Sequence, residues 1–173
     1  MSIPDYQTLM LPLLKIASDK KEHLLRDAVS VLSDEFNLLE EERAKLLPSG
    51  TQTVIYNRVG WARTYMKKAG LLTIPRKGYF QITERGVELL DKKPEQINVK
   101  LLNQFDEFKS FREKHKEKTV APDTDNFGTP EEALEYGYQK IVENLSEEII
   151  AKLKECSPSF FERLVVDLLV TMG

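Results

Sequence analysis

The chain has 173 residues, of which 41% are hydrophobic and 31% charged, and its formal net charge is −3: room for one domain with a proper core plus an extension. No apolar run approaches the roughly 18 residues of a membrane span, and Met1 to Tyr6 lacks the basic start, apolar middle and small-residue cleavage site of a secretory signal, so a cytoplasmic, membrane-free protein is expected. A single cysteine, Cys156, excludes an intramolecular disulfide and a thiolate metal cluster, and two histidines far apart in sequence, His23 and His115, leave zinc little to bind.

Tyr6, Leu9, Met10, Leu13, Leu14 and Ala17 recur at three- and four-residue spacing and predict an amphipathic helix. Pro12 either kinks it or sits in its first turn, because proline lacks a backbone donor and clashes with the preceding turn. Leu25, Ala28, Val29, Leu32 and Phe36 repeat the pattern, and a short helix from about Glu40 to Leu47 stops at Pro48-Ser49-Gly50.

A further helix is predicted from about Thr53 to Ala69. Ile55, Val59, Ala62, Met66 and Ala69 form a narrow apolar stripe that must be core. Opposite it lie Asn57, Gly60, Thr64 and Lys68, flanked by Trp61, Arg63 and Lys67, and these are expected to look outward. Short polar groups with basic ones toward the end suit a helix in a DNA major groove, where Asn pairs with adenine and Arg or Lys serves guanine or phosphate. The bland alternatives are a backbone-bonded Asn57 near the helix start and a packing role for Trp61.

Ala69-Gly70 ends that helix, and the period then changes. Leu71 to Ile74 and Tyr79 to Thr83 are apolar, β-branched and aromatic runs joined by Pro75-Arg76-Lys77-Gly78, which predicts a hairpin with a basic tip. Helix, helix, basic helix, hairpin is the order of a winged helix-turn-helix domain, with Arg76 and Lys77 of the wing on phosphates. Thr83 caps a last short helix, Glu84 to Leu90, in which Gly86 permits close packing against the wing strand.

Charge supports that reading. From Thr51 to Thr83 there is no Asp or Glu, while Arg58, Arg63, Lys67, Lys68, Arg76 and Lys77 give the stretch +6 and leave the rest of the chain at −9. A basic patch on an acidic body is the electrostatic footprint of a polyanion-binding surface. Tyr56, Trp61 and Tyr79 are, by residue type, the aromatics that could stack on a flipped base.

The domain is expected to close near Lys93-Pro94 (residues 1–93), followed by a linker over 94–128 holding one short helix with Leu101, Phe105, Phe108 and Phe111. Arg112 to Asn126 is rich in charge and lacks periodicity. Thr129-Pro130-Glu131-Glu132 is an N-cap, a first-position proline and a capping-box glutamate, so a linker helix starts there and occupies 129–156. Ser157-Pro158 begins another helix, 157–173, with Phe161, Leu164, Val165, Leu168, Leu169 and Met172 on one face. Helices this apolar expect a covering partner, so the chain is expected to stop inside a second domain and to self-associate through its C-terminal helices.

Leu47-Pro48-Ser49-Gly50, Tyr56-Asn57-Arg58-Val59-Gly60-Trp61-Ala62 and Lys68-Ala69-Gly70-Leu71 resemble the N-terminal domain of Mrr-type restriction proteins. Ser157-Pro158-Ser159-Phe160-Phe161-Glu162-Arg163-Leu164-Val165 with Met172-Gly173 resembles the opening helix of their nuclease domain. The resemblance implies a modification-dependent (type IV) endonuclease that cuts methylated double-stranded DNA with a divalent metal, Mg²⁺, in a PD-D/E-x-K core. It makes Glu162 an accessory acid at most, since the family's aspartate and Gln-x-Lys strand lie further downstream. On this reading the chain itself holds no metal or other cofactor and is inactive alone.

The expected fold is therefore mainly α with a small β-hairpin: a winged helix, a helical linker and the start of an α/β nuclease domain. Two other functions fit the residues, namely a winged-helix transcriptional regulator with a C-terminal dimerisation arm and a protein-interaction module whose basic patch never meets DNA.

Overall fold

In a computed structural model, which describes residues 3–116 and 128–172 with the side chains of 114–116 left out, the chain forms two units, 1–133 and 134–173. Each is described by itself.

In the first unit the apolar stripes become helices whose buried faces meet. Helix α1 (Met10–Ile16) presents Met10, Leu13 and Leu14, all fully buried. Pro12 lies in its first turn, where its missing N–H removes no helical hydrogen bond. Helix α2 (Leu25–Glu35) buries Leu25, Ala28 and Leu32, and a short α3 (Glu40–Ala44) follows. Helix α4 (Val54–Lys68) packs against both α1 and α2. Its stripe Ile55, Val59, Ala62 and Met66, continued by Ala69 beyond its end, is buried throughout. Thr53 caps α4 by accepting a hydrogen bond from the Tyr56 amide, as its position before the apolar stripe requires.

The hairpin consists of β2 (Leu72–Thr73) and β3 (Tyr79–Ile82), antiparallel, with Leu72 opposite Ile82. A third strand, β1 (His23–Leu24), pairs with the other edge of β3, so the sheet order is β1-β3-β2. Phe80 on β3 is fully buried against the helices. Helix α5 (Glu84–Asp91) is capped by Thr83, and Gly86 lies so close to the hairpin that a Cβ there would meet the Leu71 carbonyl oxygen at 2.4 Å. The unit is mainly helical with a small three-stranded antiparallel sheet, an element order consistent with a winged helix-turn-helix domain.

Packing continues past Lys93. Helix α6 (Val99–Leu102) and helix α7 (Asp106–Lys116) bring Val99, Leu102 and Phe108 into the same core, with Ile97 between α5 and α6 buried as well. The stretch expected as a linker is thus helical and packed at these positions, because the stripe of Phe108 and its neighbours has α4 to cover. The remainder of that linker, 117–127, lies outside the described residues.

Helix α8 (Pro130–Glu155) begins in the first unit with the predicted capping box: the Thr129 hydroxyl accepts from the Glu132 amide, and the Glu132 carboxylate accepts from the Thr129 amide. The second unit holds the rest of α8 and helix α9 (Pro158–Met172), before which the Ser157 hydroxyl accepts from the Phe160 amide. Neither helix buries a side chain there, and Tyr138, Ile141, Leu168 and Leu169 are all exposed.

Candidate nucleic-acid interface

Fifteen residues of α4 carry most of the candidate site, and 100° per residue divides their side chains into three arcs. One arc is the buried stripe. The second, Asn57, Arg58, Trp61, Tyr65 and Lys68, was expected to reach solvent through Asn57, Trp61 and Lys68; the structure corrects this for Asn57, leaves Trp61 half-buried and keeps Lys68 exposed. Asn57 is only 4% exposed and its side-chain oxygen accepts from the Thr129 hydroxyl at 2.6 Å. The Arg58 guanidinium donates to the Glu132 carboxylate at 2.7 Å and to the carbonyls of Ile3 and Pro4. The Trp61 indole N–H donates to Glu131. Lower down, Tyr65 meets Trp61, Phe108 and Phe111 edge to face, and Lys68 lies over the Phe111 ring at 4.9 Å.

What covers this arc is helix α7 together with residues 129–132, which begin 38 and 61 positions beyond the end of α4 at Lys68. The Phe105, Phe108 and Phe111 stripe and the Thr129 capping box were both readable as elements. Their destination was not, because helical periodicity says that a face is buried and leaves open against what.

The third arc is open: Tyr56, Gly60, Arg63, Thr64 and Lys67. Tyr56 and Lys67 are exposed, and a Cβ built on Gly60 meets nothing within 4 Å. The Thr64 hydroxyl donates back to the Gly60 carbonyl, a bond that ties it to its own helix until a better acceptor arrives. Arg63 is the electrostatic feature of this arc. Its Nε is buried with no hydrogen-bond partner among the described residues, and burial holds the guanidinium below the ordinary arginine value while the neighbouring Tyr56 acts the other way. A cation partly withdrawn from water and lacking a counter-charge gains from an arriving anion.

At the hairpin tip Lys77 is exposed. Arg76 stacks on Tyr79 at 3.7 Å and pairs with Glu22 at 2.9 Å. Of the six cations between Thr51 and Thr83, Arg58 and Arg76 thus have carboxylate partners, while Arg63, Lys67, Lys68 and Lys77 have none among the described residues. Tyr79 is held by Arg76 and Trp61 by Glu131 and Tyr65, so Tyr56 is the exposed member of the three aromatics.

Residues 6–92, half of the chain, match the family described as Mrr N-terminal domain. The chain belongs to that family. Over its whole length it is also similar, at 27% identity across 184 aligned positions, to the type IV methyl-directed restriction enzyme EcoKMrr of Escherichia coli K12, and it spans 60% of that protein's length. No solved structure matches the chain. The matched Mrr N-terminal region runs from α1 through α5 and contains all of α4 and the hairpin; α6 to α9 follow it.

Glu162 lies exposed on α9. Among the described residues no group of three or more His, Cys, Asp or Glu is placed to hold a metal ion. No helix among the described residues is long and apolar enough to cross a membrane.

Proposed function

We propose that this chain is the DNA-targeting region of a methyl-directed restriction endonuclease, with α4 entering the major groove of a duplex and the hairpin tip resting on the adjacent backbone. The observation that carries the reading is the open arc of α4 in a chain of the Mrr N-terminal family: a basic strip without counter-charges, opposite a well-packed core stripe. Gly60 lets the backbone come close to the bases, Arg63 and Lys67 meet phosphate or guanine edges, Thr64 and Tyr56 offer hydroxyls, and Lys77 and Arg76 flank the groove. Lys68, exposed at the end of α4, extends the strip toward phosphate. The preference for modified DNA is taken from the name of the E. coli relative. Self-association through α8 and α9, whose apolar side chains are exposed, would place two such regions on one duplex.

The test is a titration of the chain against short duplexes, unmodified or methylated at adenine or cytosine, at two salt concentrations. Salt-sensitive binding that tightens on a methylated duplex supports the proposal. Equal binding to all duplexes removes the modification sensor, and no binding to any removes the DNA-binding role.

A further inference from the structure

The first turn of α8 sits on the arc of α4 beside the open one. Asn57 lies nearly opposite the core stripe with Trp61 flanking it, and the Asn57 amide oxygen and the Trp61 indole N–H are taken by Thr129 and Glu131. Beside them Arg58 holds Glu132 with both side chains four-fifths or more buried, 20% and 16% exposed. The occupant offers two carboxylates to an indole N–H and a guanidinium, the acceptor pattern with which a nucleic-acid backbone meets its reader, while the Thr129 hydroxyl donates to the Asn57 amide oxygen.

These contacts span 70 to 74 residues of sequence. They are polar throughout, and polar pairs of this kind contribute little net stability compared with an apolar contact of the same area while fixing one geometry firmly. A duplex cannot lie along the Asn57 and Trp61 arc while residues 129–132 are there.

We propose that Thr129, Glu131 and Glu132 form an internal competitor that mimics DNA and occludes half of the recognition helix, so that full engagement of a duplex requires their release. This rests on the reading of α4 as the DNA-contacting helix. In the closed chain the open arc, Arg63 with Lys67, makes the initial electrostatic contact. Release then adds Asn57 and Trp61 to the interface, so the binding energy of the correct duplex is coupled to the start of α8.

The chain has one tryptophan, Trp61, which makes the contact visible. The experiment compares the full chain with Thr129→Ala and with the double variant Glu131→Gln/Glu132→Gln, measuring duplex affinity by anisotropy and Trp61 emission before and after duplex is added. Thr129→Ala removes the cap and the Asn57 bond without changing charge, so a gain in its affinity is not a general effect of fewer carboxylates. Both variants are expected to bind about fivefold or more tightly than the parent, the lower end of ordinary coupling between sites. Trp61 emission in the free Glu131→Gln/Glu132→Gln chain should already approach that of the parent bound to DNA. Parent and variants binding DNA with equal affinity, or weaker binding by Thr129→Ala with its fold retained by circular dichroism, would overturn the competitor while leaving α4 as the reader. Failure of all three proteins to bind any duplex would overturn the DNA reading and the competitor with it.

Discussion

Gly60 and Gly86 show how far a single residue type can be read. Both stand inside helices, where glycine is unfavourable by roughly 0.5–1 kcal/mol relative to alanine, and both suggest close approach of a neighbour. At Gly86 the neighbour is present, since a Cβ would meet the Leu71 carbonyl oxygen at 2.4 Å and Ile82 at 2.6 Å. At Gly60 the surrounding space is open. Gly86→Ala should therefore destabilise the fold by about 1–3 kcal/mol through overpacking, read as a lowered thermal midpoint. Gly60→Ala should stabilise it by about 0.5–1 kcal/mol while weakening duplex binding. Loss of stability in Gly60→Ala would show that the helix already packs there. The sequence could not separate these two glycines, because spacing reports the residue's own helix and carries nothing about the far side of the contact.

At the scale of elements, the long periodic segments were legible. The stripes of α1, α2 and α4, the caps Thr83 and Thr129, and the hairpin with its Pro75 to Gly78 turn all follow from local rules. Strand β1 was not, because two residues, His23 and Leu24, carry no period. They are extended only because β3 offers an unpaired edge. The α4 surface was half legible for a related reason. Its basic and apolar arcs could be told apart, whereas α7 and residues 129–132 reach the outer face from a distance that no local pattern encodes. The packing of α7 has a direct consequence. Phe108→Ala, which empties a fully buried site, should cost about 3–5 kcal/mol in denaturant unfolding of the chain. A cost near zero would place 99–116 outside the cooperative unit and return it to the role of a linker.

For the whole molecule, the family likeness, the charge asymmetry and the open arc of α4 converge on DNA, while α8 and α9 leave an unusual amount of apolar surface exposed. Such surface on two helices is expected to associate, and light scattering at rising concentration should show a species larger than the monomer; a monomer throughout would rule out assembly through these helices. The most direct trial of the DNA-reading helix is a salt series of duplex-binding constants for the chain and for Arg63→Gln/Lys67→Gln. Each lost phosphate contact lowers the slope of log K against log salt by about 0.9, so the variant should bind more weakly with a slope flatter by about one to two units. A variant that keeps both the affinity and the slope of the parent would contradict a role for the open arc of α4 in holding DNA.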